Sequence, residues 1–234
     1  MALYRIADIV VQMSPSYAET AHWYEPYRIE EDISPDYVLN TAFEEIDYYV
    51  KNGVDVTPPI AENMVLTNKF NRVLLRHFGT YLHSSALLFD GRVYLFSADS
   101  GVGKSTLTAR ICKHYPDRAS VINDDKPSLR MLDNKCIVYG TPFAGGTDKQ
   151  INTSAELGAV VFVERGDKNE ICRIPSSTAI KLLLAQMRKP KTPAGNDRLL
   201  GMLSQIIESY PFYHLKCTDS DDAVGAALEA TKQD

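Results

Sequence analysis

The sequence lacks the features of stapled, zinc-built and membrane-spanning proteins. Of its 234 residues four are cysteine. Cys112, Cys136, Cys172 and Cys217 are scattered with no CxxC pair, which argues against a disulfide framework or a cysteine zinc site and leaves reduced core thiols. Lys and Arg number 25 against 30 Asp and Glu, a formal net charge of −5, so the basic excess of a general nucleic-acid binder is missing. The apolar part of the N-terminal stretch MALYRIADIVVQMSPSY is too short to span a bilayer, and it lacks a strongly basic lead and a small-residue cleavage site. There is no internal repeat and no low-complexity tract. These absences lead to the expectation of a cytoplasmic protein with no nucleic-acid and no membrane partner; homo-oligomer formation stays open.

With 44% hydrophobic and 24% charged residues, the chain has enough apolar material for one sizeable core plus accessory structure. The pattern divides it into residues 1–61, an N-terminal β-rich accessory layer, and residues 62–234, the main core, unless the two form one continuous domain. Residues 3–13 read as one strand closed by Ser14-Pro15-Ser16. From Glu19 to Asp47 acids alternate with aromatics, Trp23, Tyr24, Tyr27, Tyr37 and Phe43 among them. That stretch fits either a small antiparallel layer with a solvated acidic face or a recognition surface for a basic peptide.

The chain is organised around residues 93–110. The apolar run Val93-Tyr94-Leu95-Phe96 passes through Ser97-Ala98-Asp99-Ser100-Gly101-Val102-Gly103-Lys104-Ser105-Thr106 into a helix expected over 106–115. Glycines let backbone N–H groups wrap an anion, and the following helix offers its own N-terminal N–H groups. A lysine directly after the second glycine can reach the β- and γ-phosphates, and the Ser105 hydroxyl can ligate Mg2+. Residues 100–106 are therefore the expected nucleotide-binding set. Position 98, the usual first glycine of such loops, is Ala.

Upstream, residues 62–78 place Val65, Leu66, Phe70, Val73 and Leu74 at helical spacing. Residues 82–89 and 92–96 are strand-like runs joined by Asp90-Gly91, a two-residue hairpin signal. The strand that feeds the loop is thus expected to pair antiparallel with its predecessor, which implies a mixed sheet. Downstream, residues 118–122 end in Asn123-Asp124-Asp125. Carboxylates there can hold Mg2+ or accept the proton of an attacking hydroxyl, although Asn-Asp-Asp would also cap a strand. Two glycines, two threonines and a lysine in residues 140–149 suit close approach to a ligand, with Gly145, Gly146 and Lys149 as candidate substrate contacts. Residues 158–164 and 170–174 read as a strand pair, Ser176 or Ser177 as the cap of a helix over 178–187, and residues 188–196 as a basic loop, either a solvated connection or an anion or partner contact. A helix over 197–209, a strand over 212–217 and a helix over 220–232 capped by Asp219 complete the reading.

Taken together, His83-Ser84-Ser85, SADSGVGKST, INDDKPSL, YGTPFAGG and VVFVERG resemble the HPr kinase/phosphorylase-like family, in particular its short stand-alone members, whose nucleotide-binding core is shared with ATP-dependent phosphoenolpyruvate carboxykinases. The resemblance covers roughly residues 62–230. It implies an α/β fold with a mixed, largely antiparallel sheet flanked by helices. It also implies a kinase that uses ATP and Mg2+ to phosphorylate a hydroxyl, of serine in a peptide, a protein or a small molecule. By position, Lys104 resembles the phosphate-gripping lysine, Asp124 the general base, and Ser105 and Asp125 the metal-linked pair. His83 is similar to a family histidine near the transferred phosphate, or else supports the loop. A non-catalytic ATP-dependent partner-binding module and a carboxykinase-like lyase are the alternatives.

Overall fold

In a computed structural model, which describes residues 2–232, the N-terminal residues form a sheet of strands β1 (Ala2–Ile6), β2 (Ile9–Met13), β3 (Arg28–Ile29) and β4 (Tyr37–Leu39), ordered β3-β1-β2-β4. The stretch 3–13, expected as one strand, is instead a hairpin. Ala7 and Asp8 adopt φ of 49° and 58° between the paired residues Ile6 and Ile9, and a short polar residue tolerates that left-handed conformation. β2 and β4 run parallel, so the layer is not wholly antiparallel. The acidic, aromatic segment also contains helices α1 (Ala18–Tyr24) and α2 (Phe43–Asn52), which its punctuation by proline and acids conceals. Its aromatics divide: Trp23, Tyr24 and Tyr27 are buried, whereas Phe43 and Tyr48 face solvent.

The larger sheet follows helix α3 (Pro58–Arg76). Its strands are β5 (Gly79–Tyr81), β6 (Ser84–Phe89), β7 (Arg92–Ser97), β8 (Ala119–Asn123), β9 (Ser128–Leu132), β10 (Lys135–Tyr139), β11 (Ser154–Arg165), β12 (Glu170–Arg173) and β13 (Phe212–Cys217). Helix α4 (Lys104–His114) follows β7, α5 (Ser176–Ala185) and α6 (Pro193–Ser209) lie between β12 and β13, and α7 (Ala223–Leu228) ends the fold. The order is β5-β9-β10-β11-β7-β6-β8, with β13 against β11 and β12 against β13. β11 runs parallel to both β7 and β13; the other pairings of this sheet are antiparallel. The fold is therefore mixed α/β with a mixed sheet.

β11 and β12, expected as a pair, are not neighbours. β13 returns after two helices and lies between them, paired to Val160–Arg165 on one side and to Glu170–Arg173 on the other. Local spacing cannot show such an insertion. β7 explains why its sequence is apolar without alternation: Val93 and Leu95 pack with α5 and α6 residues such as Leu183 and Met202, while Tyr94 and Phe96 pack with Leu107 and Ile111 of α4 and Val224 of α7. A strand covered on both faces needs no polar side. Gly158 in β11 is required by that packing, since a Cβ there would lie 2.6 Å from the Tyr94 ring.

Two expected caps are also corrected. Ser176 and Ser177 lie inside α5, whose cap position is Pro175. α7 begins at Ala223 rather than 220, because Asp219 and Asp221 reach Arg110 at 2.7 and 3.3 Å instead of the helix start. Among the described residues no helix is long and apolar enough to cross a membrane.

α3 joins the two sheets. Leu66, Phe70, Val73 and Leu74 share a cluster with Tyr4, Ile6, Val11 and Phe143. In its second turn Glu62, 0% exposed, accepts hydrogen bonds from Ser16 N (2.8 Å), Tyr17 N (3.4 Å) and Thr41 Oγ1 (3.2 Å). A buried carboxylate is tolerable only with such donors, and removing it strands them in turn. Glu62→Ala is therefore expected to cost about 2–4 kcal/mol of unfolding free energy, with a smaller loss for Glu62→Gln. Urea titration of both variants checks this; unchanged midpoints would show that this seam carries no load.

Candidate active site

β6 and β7 form the expected hairpin, with Asp90 and Gly91 at φ of 47° and 80°. β7 delivers the chain at Ser97 into residues 98–103, and α4 starts at Lys104, two residues before the expected position. Gly101 and Gly103 have φ of 79° and 114°, with open space around each Cβ position. Backbone conformation rather than crowding therefore calls for glycine there. No side chain caps α4. Lys104, 7% exposed, folds over the loop and donates to Ala98 O at 2.7 Å and Asp99 O at 3.2 Å. Burial holds its pKa below the ordinary lysine value, against the opposing charges of Asp125, Asp124 and Asp99.

Arg165, the last residue of β11, lines the same cleft as this loop and clamps it by its carbonyls. Its Nη2 donates to Gly101 O at 2.9 Å and its Nε to Val102 O at 3.0 Å. The sequence reading missed Arg165. A charged residue at the end of an apolar strand looks like an ordinary surface terminus until β11 is known to lie parallel to β7.

The acidic wall is built by Asn123. Its buried Oδ1 accepts from Asp125 N (3.0 Å) and Lys126 N (2.8 Å), while its Nδ2 donates to Thr141 O (2.8 Å). This turn directs Asp124 into the cleft. The Asp124 side chain is 8% exposed, with Oδ2 at 3.2 Å from Lys149 Nζ and a buried Oδ1 that has no hydrogen-bond partner. Asp125 Oδ2 pairs with Lys126, and its Oδ1 lies 3.6 Å from His83 Nε2. His83 Nδ1 meets Gln186 Oε1 at 3.0 Å, and Gln186 Nε2 donates to Asp99 Oδ1 at 2.8 Å. A hydrogen-bonded chain thus runs from Asp99 through Gln186 to His83, which stands beside Asp125. No sequence signal marks Gln186, which reaches the site because the end of α5 packs against the start of β6.

These walls enclose a cleft of about 460 Å³. Ser100, Gly101, Gly103, Lys104, Ser105 and Thr106 form one wall, His83, Asp124 and Asp125 a second, and Gly145 and Lys149 a third. Two expected residues lie outside it. Val102 faces a crevice with Leu107 and Thr218, and Gly146 packs beside Ile60 and Trp23. Gly145 lies so close to Asp125 that a Cβ would stand 3.2 Å from its Oδ2. Among the described residues no cluster of three or more His, Cys, Asp or Glu suits a metal ion. A divalent cation here would thus draw on Ser105 and one or two carboxylates, with other ligands from water or substrate, a pattern that suits Mg2+.

Burial, then the charge of Lys104, depresses the His83 pKa below its ordinary value; the Gln186 hydrogen bond and Asp125 oppose the shift without overcoming it. The folded state therefore binds fewer protons than the unfolded one between the depressed pKa and about 6.5. Stability should rise with pH through that window and fall as pH drops below about 6.5. His77, also depressed by burial, adds a slope of the same sign. Urea titrations from acid to neutral pH should show His83→Gln flattening the dependence, with His77 supplying the remainder; an unchanged slope would remove His83 from this account.

No family model and no curated protein matches this chain. Among solved structures, the chain is similar to that of the Hpr(Ser) kinase/phosphatase from Coxiella burnetii, at 12% sequence identity and a TM-score of 0.35, over 65% of this chain and 92% of that one.

Proposed function

We propose that this chain is an ATP- and Mg2+-dependent kinase that transfers the γ-phosphoryl group to a hydroxyl, of serine in a peptide, a protein or a small molecule. The observation that carries this reading is the placement of Asp124. Its buried, unpartnered Oδ1 stands in the same cleft as Lys104 and the glycine loop. A carboxylate oxygen kept dry and unpaired is costly unless a ligand completes it. The residues present fit the nucleotide and the metal, because the loop offers free helix-start N–H groups while Ser105 and Asp125 supply oxygen donors nearby.

In this mechanism Lys104 leaves the Ala98 and Asp99 carbonyls for the phosphate oxygens. Arg165 holds the Gly101 and Val102 carbonyls and so fixes the peptide planes of the loop. Asp124 takes the proton from the acceptor hydroxyl as its oxygen bonds to the γ-phosphorus and the bond to the β-phosphate bridging oxygen breaks. Bound Mg2+ neutralises charge on the phosphoryl oxygens. Gln186 holds His83 beside Asp125 at the edge of the phosphate loop. We place the activity in the cytoplasm, in keeping with four cysteines that are all unbridged.

Incubation with γ-labelled ATP, Mg2+ and candidate acceptors, followed by mass spectrometry, tests the reading. Lys104→Ala should lower transfer by about a hundredfold or more. Asp124→Asn should bind ATP as wild type does and lose transfer; undiminished transfer would remove Asp124 as base. Nucleotide-dependent partner binding that is indifferent to Asp124→Asn, with no labelled product, would favour the non-catalytic module. Arg165→Ala should raise KM for ATP more than it lowers kcat, with partial rescue by Arg165→Lys, which restores one of the two donors.

A further inference from the structure

A second hollow, of about 340 Å³, opens between α2 and α3. Tyr48, Tyr49 and Val65 supply its apolar walls, and Lys69, Arg72 and Arg188 its basic rim. Lys69 is engaged by Glu45 at 2.6 Å. Among the described residues neither Arg72 nor Arg188 forms an ion pair; Arg188 is steadied by Asn68 Oδ1 at 2.5 Å, and Asn68 in turn donates to Tyr49 OH at 2.8 Å. Phe43 and Tyr48 on α2 are 72% and 61% exposed, and exposed Lys189 and Lys191 follow Arg188. A basic rim around aromatic surface is conspicuous in a chain whose net charge is −5.

This hollow adjoins the cleft. Gln186, two residues before Arg188, is hydrogen-bonded to His83. Tyr81 lies near enough to both Arg188 and Asp125 for each charge to act on its hydroxyl. The rim also contains Glu44 and Glu45, which would repel a continuous phosphate backbone but leave room for spaced carboxylates.

We propose that the groove between α2 and α3 docks an acidic peptide segment bearing an aromatic or apolar side chain, which seats between Tyr48, Tyr49 and Val65 while its carboxylates meet Arg72 and Arg188. The occupant is part of the acceptor, so its hydroxyl is carried past Arg188 and Gln186 toward Asp124. Only this last step rests on the kinase reading; the docking does not.

The test is fluorescence anisotropy of the full chain, without nucleotide, against a labelled random copolymer of glutamate and tyrosine, with polyglutamate, a lysine–tyrosine copolymer and single-stranded DNA as comparisons. The glutamate–tyrosine copolymer should bind best, and more weakly as salt rises. Arg72→Glu combined with Arg188→Glu should weaken it by about tenfold or more, and Tyr48→Ala by about threefold or more. Thermal melts by circular dichroism establish that each variant folds; should repulsion from Glu45 unfold the double reversal, Arg72→Gln with Arg188→Gln replaces it and should still weaken binding. Lys104→Ala should bind the copolymer as wild type does. Equal affinity for polyglutamate or DNA, preference for the lysine copolymer, or undiminished binding by the folded rim variants would each overturn the proposal. Rim-dependent binding, together with no transfer from labelled ATP to any serine-bearing acceptor, would instead discard the kinase reading and leave the groove standing.

Discussion

The structure depends on the parallel pairing of β7 with β11. Leu95 opposite Val160 and Ser97 opposite Phe162 fix the register, so β11 continues three residues past the point at which β7 turns into the loop. That overhang places Arg165 against the carbonyls of Gly101 and Val102. The same β11 segment pairs with β13, which anchors the loop between Cys217 and Ser220 where Asp219 meets Arg110 of α4. A residue slipped in this register would turn Val160 and Val161 to the wrong faces of a sheet buried on both sides, which is a heavy penalty. Loop geometry is therefore underwritten by core packing tens of residues away in sequence.

Asn123 plays the corresponding part on the acidic wall. As a fully buried side chain it must satisfy both ends of its amide, and it does so by joining the 124–126 turn to the 140–150 segment. Ile151 N donates to Ile122 O at 3.0 Å and extends that junction. Asp124 and Lys149 are thus held by one set of hydrogen bonds. They meet because their backbones are tied together, not because two exposed charges attract, an attraction that is weak in water.

How much of this was legible in the sequence follows from the range of each interaction. The Asp90-Gly91 hairpin, the glycine loop and the amphipathic α3 rest on periods and turns within a few residues, and the structure contains each of them. The insertion of β13 between β11 and β12, the Ala7-Asp8 turn inside an apolar run and the unused serine caps of α5 rest on tertiary competition. For the site, the clustering of His83, Asp124 and Asp125 with Lys104 follows from the neighbouring ends of β6, β8 and β7, the last leading through the loop to the start of α4. Arg165 and Gln186 could not be read, because each acts on a partner 64 or more positions away through residue types that are unremarkable in their local context.

The charges in and beside the cleft carry a small positive excess. Lys104, Lys126, Lys149 and Arg165 stand against Asp99, Asp124 and Asp125, with His83 neutral: four cations to three carboxylates in a chain that is acidic overall. Each carboxylate has a side-chain donor beside it, yet the balance is positive, so the site can take one further anion without reversing its local field. An anion on the loop would compete with Asp124 for Lys149 and with the Ala98 and Asp99 carbonyls for Lys104. Winning that competition frees Asp124 Oδ2 beside its already unpartnered Oδ1. The carboxylate would then be least engaged with such an anion in place, because the cation that holds it is the one the anion would take.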